Sequence, residues 1–215
     1  MNRIRVLLAE DHTVVRQGLR KILESDPDIE ISGEVSDGRS AVEAVKRLRP
    51  TVVVIDIGLP GLNGIEVTNQ ITKGVDGVSV LILSMHSDDV YVRQSLKAGA
   101  KGYLVKDSED LDLIKAVKSL ARGGSYFSHS VSKVLLNGYL SEGGDGSEDT
   151  LSRLTGRERE ILQLISEGKT NKETARILSL STNTVESHRK HFMGKLDLHN
   201  TAEIVRFAVR RGIVR

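Results

Sequence analysis

The chain has 215 residues and contains no cysteine, which excludes disulfide frameworks and thiolate metal sites. The apolar run near the N-terminus ends at Ala9 and is too short for the core of a signal peptide. No segment approaches the length that a membrane-spanning helix needs. By elimination we expect a cytoplasmic protein that has no membrane partner, and the length favours two domains over one.

Basic residues are concentrated at the C-terminal end of the chain, although the net charge is only +2. Residues 151–215 carry 13 basic and 7 acidic side chains, whereas residues 1–122 carry 17 and 18. A small basic module beside a near-neutral one indicates a polyanionic partner such as nucleic acid. A basic face that only favours solubility is the alternative.

Apolar runs rich in β-branched residues alternate with helical patterns through the first half of the chain. The clearest run, Val52–Ile55, is wholly apolar, which is typical of a strand that is buried on both faces. The alternation predicts an α/β fold, a five-stranded doubly wound parallel sheet that is covered by helices on both faces. The five predicted strands are Ile4–Ala9, Ile29–Val35, Thr51–Ile55, Val78–Leu83 and Gly102–Val105.

A change in composition separates the two predicted domains. The stretch from Gly138 to Ser152 is rich in glycine, serine and acidic residues, which predicts a flexible tether. The preceding stretch, Val131–Leu140, has a modest helical pattern and is expected to form a short linker helix. We therefore predict a first domain over residues 1–122, a linker over residues 123–150 and a second domain over residues 151–215.

The second domain is predicted to be all-α, with four helices. Three segments begin with the residues of a capping box, in which the first side chain and a glutamate three residues later each bond the other's backbone N–H. These boxes are Thr155–Glu158, Thr170–Glu173 and Asn200–Glu203. The remaining helix begins near Ser181 and is expected to bury Val185, Phe192 and Leu196.

Polar side chains follow four of the predicted strands where each strand ends. Glu10 and Asp11 follow the first strand, Asp56 the third, Ser84 the fourth and Lys106 the fifth. Because parallel strands end at the same edge of a sheet, we expect these side chains to share one crevice. A lone acid after a strand is commonly a turn or cap residue, and Lys106 could simply neutralise such an acid. The occurrence of five polar residues at corresponding strand ends favours a ligand-binding site instead.

Three carboxylates in one crevice repel one another unless a cation intervenes. Hard oxygen ligands suit Mg²⁺, which keeps several waters and takes a phosphate as partner. A metal ion and a lysine beside a carboxylate are what an aspartyl nucleophile needs to attack a phosphoryl group. The residues therefore predict Asp56 as a phosphoryl acceptor.

Residues 1 to about 122 resemble the flavodoxin-like receiver domain of bacterial two-component response regulators. The resemblance rests on Glu10-Asp11, on Asp56 with Pro60-Gly61 behind it, on Ser84 and on Gly102–Lys106. It implies that Asp56 is the phosphoacceptor, and that Asp11 binds Mg²⁺ directly while Glu10 helps through water. It also implies that the Gly58 carbonyl is a further metal ligand. Ser84 and Lys106 would bind the phosphoryl group, and Tyr103 would reorient when Ser84 moves.

The helices that begin after Thr170 and Ser181 are joined by a tight turn, which predicts a helix-turn-helix. The second of them would bury its apolar face and present the other to base edges in the major groove of double-stranded DNA. We expect base contacts from Asn183, Glu186, Ser187 and Lys190. We expect further DNA contacts, chiefly to phosphates, from Lys169, Thr170, Asn171, Lys172, Thr182, Thr184 and Arg189. An ordinary helical hairpin with a solvated polar face is the alternative.

Residues 150–215 resemble the LuxR/NarL-type DNA-binding domain. The resemblance rests on Leu154–Glu160, Gly168–Glu173, Thr184–Arg189 and Lys195-Leu196. Many members have a lysine where this chain has Glu186, and this departure concerns the base preference rather than the domain type.

The two resemblances together imply a NarL/FixJ-type response regulator, a transcription factor and not an enzyme. A sensor histidine kinase would phosphorylate Asp56, and the active form would bind promoter DNA as a homodimer, with Thr201–Arg210 as the contact between copies. RNA polymerase is a further expected partner.

Three other functions are compatible with parts of this pattern. A phosphohydrolase could use Asp56 as nucleophile, but the second acid of such enzymes would stand where this chain has Gly58. A regulator could use its first domain for dimerisation or ligand sensing without phosphorylation. A protein-interaction adaptor would show no salt-dependent DNA binding.

Overall fold

The computed structural model of the protein describes residues 3–85, 87–106, 112–140 and 150–214. The chain divides into two compact units, Met1–Gly143 and Gly144–Arg215, which are described separately. The strands are β1 (Ile4–Ala9), β2 (Ile29–Val35), β3 (Val52–Asp56), β4 (Ser79–Ser84), β5 (Gly102–Val105) and β6 (Tyr126–Phe127). The helices are α1 (Thr13–Glu24), α2 (Gly38–Leu48), α3 (Gly64–Gly74), α4 (Asp89–Lys97), α5 (Leu113–Ala121), α6 (His129–Leu140), α7 (Gly156–Ser166), α8 (Asn171–Leu178), α9 (Thr182–Leu196) and α10 (Thr201–Arg210).

The first unit is a parallel sheet in the order β2-β1-β3-β4-β5-β6, with helices on both faces. Alternate residues of β3 point to opposite faces, as the two-residue period of a strand requires. Val53 and Ile55 pack with α2, α3, α4 and α6, whereas Val52 and Val54 pack with α1 and α5. This double burial confirms the predicted α/β class and explains why the strand sequence is apolar throughout.

Among the described residues the sheet has six strands, so the predicted number of five is wrong. The additional strand β6 is two residues long and pairs in parallel with β5 at the edge of the sheet. Gly102 permits this approach, because a Cβ there would lie 3.0 Å from the Tyr126 carbonyl oxygen and 2.6 Å from Leu81 Cδ1. Two residues are too few to show a periodic pattern, so the sequence did not indicate the strand. Two predicted strands also shift by one residue, to Val52–Asp56 and Ser79–Ser84.

The expected linker helix is present as α6, but it packs against the first unit. Val131 is fully buried in the core on the side of α4 and β5, and Val134 and Leu135 pack against it. The described residues 123–140 thus extend the first unit. The domain boundaries at residues 122 and 150 stay a prediction, and residues 141–149 of the predicted tether lie outside the described residues.

The second unit is helical, as predicted, and α7, α8, α9 and α10 surround one apolar core. Thr155 and Thr170 form complete capping boxes with Glu158 and Glu173. The third predicted box is wrong in detail. Asn200 accepts a bond from the Glu203 backbone N–H, but the Glu203 carboxylate accepts from the backbone N–H of His199 rather than of Asn200. A bond from the Asn200 amide nitrogen to Glu203 completes the cap at 2.7 Å.

Within the described residues, none of the helices is long and apolar enough to cross a membrane.

Candidate functional site

The predicted acidic crevice lies at the carboxyl edge of the sheet. Asp56 and Ser84 are the last residues of β3 and β4, while Glu10 and Lys106 directly follow β1 and β5. Glu10, Asp56 and Ser84 are each at most 2% exposed. Burial of two acids is unfavourable unless charge partners compensate, so this edge of the sheet is built for a charged ligand or counter-ion.

Lys106 is the residue that joins the buried carboxylates. Its Nζ donates to Glu10 Oε2 at 2.6 Å and lies 3.0 Å from Asp56 Oδ1. Lys106 thus faces two buried carboxylates, and Asp11, which directly follows Glu10, adds a third acid close to Glu10. A cation would find favourable electrostatics there.

The residues after β1 form a compact ligand group. His12 Nδ1 lies 2.9 Å from Asp11 Oδ1 and 3.3 Å from Glu10 Oε1. One ligand atom from each of Glu10, Asp11 and His12 lies within 4.8 Å of the others. His12 was not predicted from the sequence as part of this site, although its place directly after two acids was a signal. Arg16 Nη1 donates to the Glu10 carbonyl oxygen at 2.7 Å, which fixes the backbone of this group.

The backbone around Asp56 is tightly packed against α3. A Cβ at Gly64 would lie 2.3 Å from the Asp56 carbonyl oxygen, so only glycine allows the first turn of α3 to come so close. The Gly64 N–H donates to the Ile57 carbonyl oxygen at 2.9 Å. Gly58, the predicted backbone ligand, is half-buried in the turn that follows Asp56.

Ser84 and Tyr103 are joined directly. The Tyr103 side chain is fully buried and forms a hydrogen bond with the Ser84 side chain. Burial raises the pKa of the Tyr103 phenol well above its ordinary value, although the bond to Ser84 acts in the opposite direction. The phenol therefore stays protonated. The backbone carbonyl of Tyr103 accepts from the Ser128 N–H at 3.0 Å, directly before α6.

In the helical unit, α9 separates an apolar face from a polar one. Val185 and Phe192 are fully buried and Leu196 is nearly so, as predicted. Ser179 adopts a left-handed conformation with φ 52° and ends α8, which forms the tight turn before α9. The four residues predicted to face base edges, Asn183, Glu186, Ser187 and Lys190, are all exposed.

The residues predicted to make further DNA contacts lie mostly just before or in the first turns of α8 and α9, whereas Arg189 lies in the middle of α9. Lys169, Thr170 and Lys172 are exposed, and the Thr170 hydroxyl caps α8. Such an N-terminus favours anions because its amide N–H groups point outward. Asn171, Thr182, Thr184 and Arg189 are half-buried, and the Thr184 backbone N–H donates to Ser181 Oγ at 3.0 Å.

Arg189 has a structural function that the sequence did not indicate. Its guanidinium donates to Asn171 Oδ1 at 3.3 Å and to Thr201 Oγ1 at 2.7 Å. These bonds tie α9 to the first residues of α8 and α10. Arg189 therefore sets the position of α9 relative to the predicted phosphate contacts.

A second interaction missed from sequence connects α7 to the end of α9. Lys195 Nζ donates to both carboxylate oxygens of Glu158, at 2.7 and 2.9 Å. Burial alone would raise the pKa of Glu158, but the bonds from Lys195 and from Thr155 outweigh it and hold the pKa below its ordinary value. The Glu158 carboxylate therefore links α7 to α9 within the helical unit and is not assigned to ligand binding.

Comparison with known families covers both units. Residues 6–118 match the response regulator receiver domain. Residues 152–208 match the bacterial regulatory proteins of the luxR family. Receiver domains bind Mg²⁺ in an acidic pocket, and the Glu10, Asp11 and His12 group lies in such a pocket here.

The chain is also similar to proteins of the same two-domain organisation. It is 37% identical to the transcriptional regulatory protein MctR of Rhizobium johnstonii over 212 residues, which are 99% of this chain and 96% of that protein. RcsB from Salmonella enterica serovar Typhimurium, solved bound to a promoter with the phosphomimetic BeF3⁻, matches with a TM-score of 0.60 and 29% identity over 96% of this chain and 98% of that chain. A structure of two RcsB dimers bound to two parallel DNAs matches with a TM-score of 0.59 and 27% identity, over 97% and 98% of the two chains. The chain therefore belongs to the NarL/FixJ family of two-component response regulators, which join a receiver domain to a LuxR-type helix-turn-helix domain.

Proposed function

We propose that this chain is a transcription factor whose binding to promoter DNA is switched by phosphoryl transfer from a sensor histidine kinase to Asp56. The observation that carries the proposal is the position of Lys106 Nζ, 2.6 Å from Glu10 and 3.0 Å from Asp56, in a buried pocket at the carboxyl edge of the sheet. This arrangement supplies a nucleophile, a neighbouring cation and further acids in one place.

The chemistry is an in-line displacement at phosphorus. A carboxylate oxygen of Asp56 forms a bond to the phosphorus atom while the bond between phosphorus and the kinase histidine nitrogen breaks, and the released imidazole takes up a proton. Lys106 is close enough to move its ammonium from Asp56 to a phosphoryl oxygen as negative charge is added. Positioning and electrostatic stabilisation supply most of the rate in such a transfer.

The oxygen donors of this pocket fit Mg²⁺. Glu10, Asp11 and Asp56 would hold the ion, with the Gly58 carbonyl as a further ligand. Hard carboxylate and carbonyl oxygens are the donors that this ion prefers. The bound ion would neutralise negative charge on the carboxylates and on the phosphoryl oxygens.

The switch would act through Ser84 and Tyr103. A phosphoryl oxygen on Asp56 is a strong acceptor for the Ser84 hydroxyl, which already bonds Tyr103 in the buried pocket. A movement of Ser84 and Tyr103 would displace β5, which carries Tyr103. It would then displace β6 and α6, because both contact β5. The surface formed by these elements would thereby change with phosphorylation.

The output would be DNA binding by a dimer. The basic residues at the start of α8 and the exposed face of α9 would contact phosphates and base edges, and α10 would join two copies. The RcsB relative binds DNA as dimers, which supports this proposal. RNA polymerase is a proposed further partner, and cytoplasmic location is part of the same proposal.

A phosphohydrolase is the less favoured alternative. Gly58 has no side chain to act as a second acid two residues after Asp56, so sustained turnover is not expected.

The decisive experiment measures affinity for promoter DNA with and without a small-molecule phosphodonor and Mg²⁺. We expect tighter binding after phosphorylation of the wild type and no change in Asp56→Asn. Asp76→Asn removes an exposed carboxylate of the same unit and should respond like the wild type. Equal binding in every case would refute the switch, and no binding to any duplex at low salt would refute the transcription factor.

A further inference from the structure

Glu186 is an acid in the middle of the predicted DNA-binding face. It is exposed on α9, one turn after Thr182 and one turn before Lys190. Among the described residues, no side chain forms a hydrogen bond or ion pair with its carboxylate. The net charge of residues 151–215 is strongly positive. The negative charge of Glu186 is therefore opposite in sign to the net charge of the unit that carries it.

The direction in which Glu186 points is set by the fold of the helical unit. Val185 and Phe192 are fully buried and fix one side of α9 in the core. Arg189, one turn after Glu186, ties the helix to Asn171 and Thr201. Rotation of α9 to move the carboxylate away from bound DNA would break these contacts. The carboxylate therefore stays on the face that is presented to the groove.

A carboxylate at this place needs a specific partner on DNA. The phosphates repel it, so only hydrogen-bond donors on base edges can compensate. The major groove offers two such donors, the amino groups of cytosine and adenine. In adenine the acceptor N7 stands beside the amino group and repels a second carboxylate oxygen, whereas cytosine has no acceptor there.

We infer that Glu186 selects a cytosine at one position of each half-site, by accepting a hydrogen bond from the N4 amino group. This inference rests on the proposed DNA-binding function and adds the base that the site prefers. Glu186 thus contributes to specificity, whereas the lysines near α8 contribute affinity without reading sequence.

The test is selection of binding sites from a random duplex library by the full-length, phosphodonor-treated protein. We expect the wild type to enrich cytosine at one position of each half-site. Glu186→Gln should enrich adenine there, because glutamine pairs with N6 and N7 of adenine, and Glu186→Lys should enrich guanine. Exchange of that C·G pair for A·T should weaken wild-type binding about tenfold and should strengthen binding by Glu186→Gln.

Two controls separate this effect from a general loss of binding. Asp197→Asn removes an exposed carboxylate of the same unit that is not among the predicted DNA contacts, and it should leave the cytosine position unchanged. Lys172→Ala should weaken binding to all sequences equally. Thermal unfolding of each variant checks that the fold is intact.

The outcomes also separate this inference from the proposed function. If the wild type and Glu186→Gln enrich the same base at every position, Glu186 does not read sequence, while DNA binding stands. If the wild type binds no duplex even at low salt, the proposed function and the inference both fail.

Discussion

At the scale of single residues, buried charges in this protein are held by partners that are distant in sequence. Lys106 reaches Glu10 across 96 positions, and Lys195 reaches Glu158 across 37. The first pair lies at the predicted phosphoryl pocket, where Lys106 would exchange partners in the proposed switch. The second pair also closes a capping box, so its function is to stabilise the helical unit.

The Glu158 carboxylate should make the helical unit sensitive to acid. Because its pKa in the folded state lies below the ordinary value, its contribution to stability is present above the unfolded-state pKa. That contribution is lost as the pH falls through the folded-state pKa. Glu158→Gln should lower the free energy of unfolding by about 1–2 kcal/mol at neutral pH, with a smaller loss near pH 3. Hydrogen exchange of α7 and α9 amides in urea at both pH values measures this difference.

Glu186→Gln is the matched control, since it makes the same chemical change at an exposed carboxylate of the same unit. Its effect on stability should stay within about 0.5 kcal/mol. An equal loss for Glu158→Gln at both pH values would contradict the assigned charge interaction.

At the scale of elements, β6 and α6 extend the receiver beyond five strands. The Tyr103 backbone accepts from Ser128, and Val131 buries its side chain on the same face of the sheet. The segment after α5 is therefore attached directly to the strand that carries Tyr103. In the proposed switch, this attachment connects the pocket to the part of the chain that leads to the DNA-binding unit.

Val131→Ala tests whether α6 is an integral part of the first unit. Removal of two buried methyl groups should lower the free energy of unfolding of that unit by about 2 kcal/mol. Val14→Ala makes the same change in a helix at a side chain that is 85% exposed, and should leave stability nearly unchanged. Denaturant unfolding of the full chain measures both variants. Equal effects would show that α6 does not contribute to the core in solution.

At the scale of the whole molecule, the distribution of charge separates the two units. The acidic pocket suits a cation, and a phosphoryl group only together with that cation and Lys106, while the net positive helical unit suits a polyanion. To change a population from 1:99 to 99:1, phosphorylation must favour the active state by about 5.5 kcal/mol. Contacts of the phosphoryl group and dimerisation on DNA would supply this difference together.

Affinity for DNA should fall steeply with salt concentration, because phosphate contacts release counter-ions. Lys172→Ala should lower affinity for all sequences and reduce the slope of log K against log salt by about 1. Lys46→Ala, which removes an exposed lysine of the first unit, should change neither quantity. Titrations of the full chain at several salt concentrations measure the slopes. Equal slopes for the wild type and Lys172→Ala would remove Lys172 from the set of phosphate contacts.

The sequence by itself determined the class of the fold and the place of the candidate sites. Buried strands and the capped helices are encoded locally, by apolar β-branched runs such as Val52–Ile55 and by capping pairs such as Thr170 and Glu173. Asp56, Ser84 and Lys106 could be grouped from sequence because parallel strands end at one edge of the sheet. Local sequence patterns, together with the rule that parallel strands end at one edge of a sheet, were sufficient to predict the fold class and the grouping of these residues.

The tertiary structure alone decided which side chains share partners. Lys106 joins Glu10 to Asp56, and Arg189 joins α9 to α8 and α10. The short edge strand β6 likewise forms only because Gly102 leaves space beside β5. Sequence periodicity reports which face of an element is buried, but not which distant residue meets it. These pairings depend on distances and angles between packed elements, which exist only once the chain has folded.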